Sequence, residues 1–239
     1  MGFFYSQLIK TLPRPTGSYA GKTIIVTGGS AGLGKEAARH YARLGASRLI
    51  LAVRNKEKGN MAKNDILASV PGYPKDSIEI WDLDLSKYKS VQEFAARVRG
   101  PELDRVDIFL ANAGLAAARF QLAERDESTI TVNVVSTFLL ALLVLPKLKE
   151  TAARFPGVRP VLSVVSSEMH AYAKLPQRIP SPPGIFAAIS QETNKFDPVG
   201  QYNISKLLEV LFVRALAERH PADKFPVTVN CLNPGFCKS

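Results

Sequence analysis

Cysteine is scarce in this chain, which has only Cys231 and Cys237 among its 239 residues. Two cysteines cannot build a disulfide framework, and a chain of this length can be held together by its hydrophobic core. Free thiols are therefore expected. The N-terminal residues lack the charged start, the long apolar stretch and the small-residue cleavage site of a secretory signal. These absences predict a cytoplasmic protein.

Long hydrophobic runs and clusters of one charge are also missing. The longest apolar run, residues 138–145, is far shorter than the ~20 residues that a membrane-spanning helix needs, so no transmembrane segment is expected. The chain has 31 Lys and Arg against 21 Asp and Glu, a formal net charge of +10. The positive residues are dispersed and not interleaved with aromatics, so nucleic-acid binding is not expected. A phosphorylated cofactor is a better partner for this charge.

Short β-branched segments alternate along the chain with longer amphipathic ones. The predicted strands cover residues 23–27, 48–53, 77–82, 106–111, 161–166 and 227–232. The predicted helices cover residues 33–44, 56–70, 90–99, 126–149 and 201–219. This alternation predicts a single α/β domain over residues 1–239, built as a Rossmann-type, doubly wound parallel sheet with helices on both faces in three layers.

Three segments fit the alternation less well. Residues 129–135 are rich in β-branched side chains, which disfavour helix, but they are retained in the predicted helix. Residues 1–21, with Pro13 and Pro15, predict an N-terminal arm on the surface. Residues 168–200 contain five prolines, too many for a long helix, and loops of this length are commonly functional. We expect this segment to form a lid on the substrate side.

A glycine-rich turn at residues 27–34 follows the first predicted strand and opens the first predicted helix. Glycine permits a tight turn and close ligand approach, and the N–H groups at the start of a helix can receive a phosphate. An ordinary βα turn would have the same pattern. Residues 29–35 also match most of the loop that binds nucleoside triphosphates. That loop needs Ser or Thr directly after Lys35 to bind magnesium, and this chain has Glu36 there, which would repel the phosphates.

Residues 28–32 also match the G-x-S-x-G nucleophile elbow of α/β-hydrolases. That interpretation needs a histidine partner, and the chain offers only His40, His170 and His220. His40 and His220 lie among helix-forming surface residues, where a solvated side chain is expected. His170, which is close to Ser167 in the sequence, keeps the hydrolase alternative open.

Tyr202 and Lys206 are four residues apart and therefore lie on one face of a predicted helix. A tyrosine holds its proton firmly at neutral pH, and an adjacent positive charge favours the phenolate. The pair can therefore exchange a proton with a ligand more easily than tyrosine alone. A tyrosine packed in the core beside a solvated lysine is the structural alternative.

These features together resemble the short-chain dehydrogenase/reductase family over residues 27–239. The family's glycine motif corresponds to Thr27, Gly28, Ser30, Gly32, Leu33 and Gly34. Its later motifs follow in order: Asp84 and Leu85 after the third strand, Asn112, Ala113 and Gly114 after the fourth, Asn133 in the long helix, Ser167 after the fifth strand, Tyr202 and Lys206 in the last helix, and Pro234 with Gly235 after the sixth strand. In combination these motifs are highly specific.

The resemblance implies a role for each catalytic candidate. Tyr202 would donate a proton to a carbonyl oxygen while NADPH delivers hydride to the carbon, and Ser167 would hold that oxygen by a hydrogen bond. Lys206 would also bind the nicotinamide ribose, and Asn133 would hold a water that connects Lys206 to bulk solvent. Taken alone, each polar residue could instead cap a turn or satisfy buried backbone. No metal site is predicted.

The residue that distinguishes NAD from NADP is expected about 20 positions beyond the glycine turn, where NAD-binding sheets place an acid. Here that position holds Arg54, which can pair with a 2′-phosphate, with Lys35, Lys56 and Lys58 as possible helpers. NADP(H) is therefore the predicted cofactor. Residues 52–54 and 164–170 resemble the retinol-dehydrogenase-like branch, which acts on lipophilic alcohols, aldehydes and ketones.

The resemblance also raises an alternative function. Family members continue after the Pro-Gly motif through a substrate-binding helix and a seventh strand, whereas this sequence stops at Ser239, four residues after Gly235. We therefore expect a sheet without its usual C-terminal strand, and an exposed edge that favours association with another copy. A catalytically impaired, NADPH-binding regulatory or scaffold protein is the second function left open.

Overall fold

The computed structural model describes Pro13, residues 15–176, 184–191 and 196–235, and Cys237. Its strands are β1 (Thr23–Thr27), β2 (Arg48–Val53), β3 (Ile78–Asp82), β4 (Ile108–Ala111), β5 (Leu122–Ala123), β6 (Asp126–Glu127), β7 (Val161–Val165) and β8 (Thr228–Leu232). Six of them form a parallel sheet in the order β3-β2-β1-β4-β7-β8, while β5 and β6 form a small antiparallel hairpin. The predicted doubly wound parallel sheet is confirmed.

Helices cover both faces of the sheet and complete three layers. They are α1 (Gly32–Arg43), α2 (Lys56–Ser69), α3 (Tyr88–Arg99), α4 (Ser128–Ile130), α5 (Thr137–Arg154), α6 (Ile185–Ile189) and α7 (Pro198–Arg219). Alternate strand residues enter two separate cores, because successive side chains of a strand point to opposite faces. Ile25 and Ile50 pack with α3 and α5, whereas Ile24 and Leu49 pack with α1 and α2.

The predicted helix over residues 126–149 is wrong at both ends and in one internal turn. Asp126–Glu127 pairs with Leu122–Ala123, and the helix begins only at Ser128, because the Glu127 carboxylate accepts the N–H groups of Thr129 and Ile130. The β-branched stretch Thr131–Ser136 forms a π-helical turn, and the α-helix then continues to Arg154. Single π turns occur frequently at functional sites.

The apolar run at residues 138–145 is part of a continuous helix, Ser128–Arg154, which is 27 residues long. Its most apolar 18-residue window has a mean hydropathy of 2.1, which by length and composition alone would suit a membrane span. However, 67% of that window is buried inside the protein. Leu140, Val144 and Leu148 lie in the core between this helix and the sheet. The helix therefore has the burial expected of a central core helix.

The described parts of residues 168–200 contain regular elements, while residues 177–183 and 192–195, with Pro180, Pro182 and Pro183, lie outside the described part. The lid stays a prediction. Glu168–Tyr172 forms a 3₁₀ turn, and α6 packs against the π turn and α7 through Ile189. Pro198 is the first residue of α7, a position where proline fits because it needs no N–H donor there. Asp197 caps this helix by accepting the N–H of Gly200 at 2.9 Å.

Part of the predicted N-terminal arm also lies outside the described residues, namely 1–12 and Arg14. The described end of the arm packs on the surface, as expected. The Tyr19 ring meets the Tyr41 ring edge-on at 5.2 Å between centroids, and the N–H of Tyr19 donates to the carbonyl of Leu44. The arm is thus attached to the last turn of α1.

Candidate active site

One cleft of about 640 Å³ lies at the carboxyl ends of the parallel strands. The chain proceeds from β1 outward to β3 on one side and then crosses to β4 on the other side of β1. Ligands of such sheets bind where the strand order reverses in this way. Predicted site residues that line the cleft are Gly28, Ser30, Gly32, Leu33, Arg54, Asp84, Leu85, Asn112, Ala113, Gly114, Ser167, Tyr202, Lys206, Pro234 and Gly235.

Two glycines of the turn are packed so closely that a side chain would not fit at either position. Gly28 has a φ of +68°, and a Cβ there would lie 3.0 Å from the Cα of Ala113. A Cβ on Gly34 would collide with Asn112 Nδ2 and lie 2.5 Å from the carbonyl oxygen of Gly28. Glycine is therefore required at both positions by the contact between the turn and β4.

Thr27 and Gly34 do not line the cleft, although both were predicted to bind the cofactor. Thr27 is buried, and its Oγ1 accepts the N–H groups of Asn112 and Ala113, each at 3.0 Å. Asn112 returns a hydrogen bond from Nδ2 to the carbonyl oxygen of Thr27 at 3.0 Å. These bonds hold the ends of β1 and β4 together, so Thr27 supports the turn from behind.

The first turn of α1 faces the cleft. Ala31 occupies the N-cap position, and within the described chain it provides no side-chain hydrogen bond to the helix. The first N–H groups of a helix have no partner within the helix itself, and the helix dipole makes this end positive. Ser30, Gly32 and Leu33 lie around this end and line the cleft. The arrangement suits a phosphate group.

Arg54 follows β2 directly, is exposed and lines the cleft. Across the cleft edge, burial would raise the pKa of Asp84, but hydrogen bonds from Ser86 and the nearby charges of Lys87 and Arg54 outweigh burial and lower that pKa. Asp84 accepts from both the N–H and the hydroxyl of Ser86, at 3.0 and 2.6 Å. The Asp84 carboxylate is therefore held in place before any ligand arrives.

Two of the three helper cations have acidic partners. Lys35 Nζ donates to Asp65 Oδ2 at 2.8 Å, and Lys56 Nζ lies 3.9 Å from Asp82 Oδ2. Neither lysine lines the cleft. Lys58 does not line it either, so Arg54 is the one of these four candidate cations that lines the cleft.

The catalytic candidates Ser167, Tyr202 and Lys206 line the other end of the same cleft. Ser167 follows β7, and its Oγ accepts the N–H of Met169 at 3.3 Å. Tyr202 and Lys206 lie on adjoining turns of α7, with Lys206 Nζ 5.5 Å from the centroid of the Tyr202 ring. Distant parts of the chain thus bring a hydroxyl, a phenol and an ammonium group to one surface.

Asn133 is fully buried in the π turn and does not line the cleft. Its Oδ1 accepts the N–H of Leu115 at 2.7 Å, and its Nδ2 donates to the Leu115 carbonyl and to Ser205 Oγ. A Cβ on Gly114 would lie 3.5 Å from Asn133 Oδ1 and 3.8 Å from Lys206 Nζ. Asn133 and Lys206 thus both approach Gly114, and the predicted water-holding role of Asn133 stays a prediction.

The hydrolase alternative has no support in this geometry. Among the residues that the structure describes, no histidine lines the cleft. His170 Nδ1 lies 2.7 Å from the main-chain carbonyl oxygen of Ser167. The imidazole is thus bonded to the backbone at Ser167 rather than to its hydroxyl.

Several cleft residues are absent from the sequence prediction. Most are apolar or small side chains whose position depends on the fold: Ala31, Ala52, Val53, Leu83, Ser86, Leu115, Ala116, Val132, Val165, Ser166 and Cys237. The sequence prediction also missed Glu209, a charged residue that does not line the cleft but pairs with Lys206, which does. The signal was present in the sequence, because residues three apart on a helix are neighbours.

Comparison with known proteins agrees with this geometry. A model of the short chain dehydrogenase family matches residues 22–159, more than half of the chain. A short-chain dehydrogenase/reductase of Cryptosporiopsis sp. (strain 8999) is 55% identical over 100% of this chain and 73% of its own length. A short-chain dehydrogenase of Emericella nidulans is 43% identical over 99% of this chain and 74% of its own length.

Solved structures agree as well. A short-chain dehydrogenase from Escherichia coli CFT073 complexed with NADPH is 28% identical, with a TM-score of 0.64 over 92% of this chain and 80% of that one. Another from Shigella flexneri 2a, complexed with NADP, is 27% identical, with a TM-score of 0.62 over 90% of this chain and 77% of that one. This chain belongs to the short-chain dehydrogenase/reductase family and is an oxidoreductase, which confirms the predicted family. The branch within the family stays a prediction.

Proposed function

We propose that this protein uses NADP(H) to reduce a ketone or aldehyde to an alcohol, or to catalyse the reverse oxidation, with Tyr202 as the general acid. The observation that carries this proposal is that a single cleft is lined at one end by the glycine turn and at the other by Ser167, Tyr202 and Lys206. A dinucleotide bound on the turn can extend along the cleft to these polar side chains.

The dinucleotide end of the cleft fits a cofactor with a 2′-phosphate. Gly28 and Gly32 line the cleft without side chains, which lets the backbone approach a pyrophosphate, and the first turn of α1 supplies N–H groups and positive potential. Arg54 stands where NAD-binding sheets place an acid, and a guanidinium suits a phosphate. NADP(H) is therefore the cofactor, and its nicotinamide supplies or accepts the hydride.

The catalytic end of the cleft can position and protonate a carbonyl oxygen. Ser167 and Tyr202 both carry hydroxyl groups, so one can hold the oxygen while the other donates its proton. Lys206 places a positive charge 5.5 Å from the centroid of the Tyr202 ring, one helical turn along α7. Asn133, whose Nδ2 donates to Ser205 Oγ, is proposed to hold a water that connects Lys206 to bulk solvent for proton resupply.

The substrate is proposed to be a lipophilic small molecule, because Leu115, Ala116 and Val132 add apolar surface to the cleft. A cytoplasmic location is proposed from the sequence alone. Association with a second copy stays a prediction from the sequence.

One observation favours the second candidate function, an NADPH-binding regulatory or scaffold protein. The Lys206 ammonium donates to the Val165 carbonyl and the Glu209 carboxylate, rather than to Tyr202. A lysine engaged in this way is less available to assist the phenol. The two functions differ in whether bound NADPH is consumed.

The deciding experiment measures NADPH binding by fluorescence and NADPH consumption by absorbance, on the same preparation, with a panel of lipophilic ketones and aldehydes. The proposed function expects saturable binding together with consumption that depends on the carbonyl compound. Binding without consumption across the whole panel and across neutral pH would support the regulatory function instead. Absence of NADPH binding would contradict both.

A further inference from the structure

A buried carboxylate stands directly behind the catalytic candidates. Glu209 lies one helical turn after Lys206 on α7, and its two side-chain oxygens are 2.9 and 3.0 Å from Lys206 Nζ. The side chains of Lys206 and Glu209 are 5% and 2% exposed. Lys206 lines the cleft, whereas Glu209 does not. The carboxylate therefore acts on the cleft only through the lysine.

Other groups also contact this pair. Lys206 Nζ donates to the carbonyl oxygen of Val165 at 3.0 Å and lies 5.5 Å from the centroid of the Tyr202 ring on the same helix. From β8, the titratable group that faces the pair is Cys231; burial, and then the negative charge of Glu209, raise the pKa of its thiol.

Other elements also pack on α7. The 3₁₀ turn contributes Glu168, His170 and Tyr172 as titratable groups, whereas α4 and the π turn contain none. Ser166, at the end of β7, donates its hydroxyl hydrogen bond to the Lys206 carbonyl. The charged partner that the structure places in contact with Glu209 is therefore Lys206, within the described residues.

Such a pair is costly and calls for an explanation. Burial of an ion pair loses hydration that the mutual attraction repays only with good geometry, and apolar residues would stabilise this buried helix face at least as well. Desolvation raises the pKa of Glu209 to about 7, against the opposing attraction of Lys206. None of the steps in the proposed reaction uses this carboxylate.

Building on the proposed function, we propose that Glu209 is a positioning residue that orients the Lys206 ammonium for its work at the cofactor and at Tyr202. An ammonium has three N–H donors in a fixed arrangement. The Val165 carbonyl oxygen and the two Glu209 carboxylate oxygens all lie within 3.0 Å of Lys206 Nζ, so the ammonium is held from its buried side and its position at the cleft is fixed. The ionised carboxylate holds the long lysine side chain in one rotamer, which a neutral side chain does much less firmly.

This role makes the site sensitive to pH. When Glu209 takes up a proton, the charge-assisted hydrogen bonds to Lys206 weaken and the lysine gains rotamer freedom. NADPH binding and turnover should therefore both decline as the pH falls through about 7, the value to which the pKa of Glu209 is raised. If Glu209 only filled space in the fold, its protonation would not change NADPH binding and turnover together.

The test compares Glu209→Gln with Glu150→Gln. Glu150 forms a pair of the same spacing with the buried Lys147 on α5 and does not line the cleft; its carboxylate is exposed and also pairs with Arg154, so it is a control for the spacing and the buried lysine. Glu209→Gln should lower kcat at pH 8 roughly ten- to a hundredfold, the effect of one or two charge-assisted hydrogen bonds. It should also abolish the pH dependence near 7 of both kcat and NADPH affinity. Glu150→Gln should change neither.

Glu209→Asp keeps the charge and should retain the pH dependence at reduced kcat, which covers the case in which the glutamine variant fails to fold. The proposal is overturned if Glu209→Gln retains the parent's pH dependence, or if Glu150→Gln reproduces its effect. NADPH affinity against pH is measured without a carbonyl substrate. A parent that consumes no NADPH therefore contradicts the proposed function, while the affinity measurement still decides the role of Glu209.

Discussion

At the scale of single residues, removal of the Tyr202 hydroxyl tests the proton-transfer step by itself. Tyr202→Phe leaves the ring on α7 and deletes only the proton donor. Carbonyl reduction should fall by at least the ~10² factor attributed to a positioned general acid, while NADPH affinity stays near that of the parent. Steady-state kinetics and a fluorescence titration check both parts. Tyr172→Phe, on the exposed 3₁₀ turn, is the control; full turnover by the Tyr202 variant would contradict the mechanism.

Arg54 is the residue on which the choice of cofactor depends. Arg54→Asp replaces a cation with the acid that NAD-binding sheets use, so the ratio of NADPH to NADH affinity should fall by roughly 10² or more, as a charge-assisted pair is lost and a repulsion gained. Parallel titrations with the two cofactors measure this ratio. Arg43→Asp, at the exposed end of α1, should leave it unchanged. An unchanged ratio in the Arg54 variant would make the assignment wrong.

At the scale of elements, the site depends on how closely α1 approaches β4. Gly34→Ala introduces a Cβ that collides with Asn112 Nδ2 and the Gly28 carbonyl. Overpacking of this kind typically costs about 1–3 kcal/mol, and the displaced turn should also weaken NADPH binding. Chemical denaturation and titration measure the two effects. Gly17→Ala, where no atom lies within 4 Å, should cost nothing measurable.

The same scale explains why elements could be predicted more securely than their ends. The strands Thr23–Thr27 and Arg48–Val53 were predicted at their observed bounds, because short β-branched runs buried on both faces have few other uses. The start of the long helix Ser128–Arg154 was predicted wrongly. Glu127 caps this helix, and Glu127 itself belongs to a hairpin strand that pairs with Leu122–Ala123. Such capping depends on where the hairpin places the carboxylate.

At the scale of the whole molecule, the dependence of stability on pH combines two opposite groups of carboxylates. Glu36, Asp65, Glu79, Asp84 and Glu150 have lowered pKa values, so they contribute stability that is lost as the pH falls through those values. Glu209 has a raised pKa, so its contribution is complete below its unfolded value and is lost as the pH rises through about 7.

The Glu209 contribution can be isolated by difference. The free energy of unfolding of the parent minus that of Glu209→Gln should fall by on the order of 3 kcal/mol as the pH rises from about 4.5 to about 7, and then stay level. Urea denaturation at a series of pH values gives this difference. A difference that rises with pH over this interval would show that the carboxylate is more acidic in the folded protein, and the assigned direction would be wrong.

The sequence by itself determined the sheet, the glycine turn and the pairing of Tyr202 with Lys206, because each depends on spacing within one element or between successive elements. Only the tertiary structure decided which of these residues share the cleft, where the Lys206 ammonium points and what lies behind it. Those facts depend on contacts between α7, β7 and the π turn, whose residues are far apart in the chain. Their side-chain directions follow from packing and burial, which local patterns do not encode.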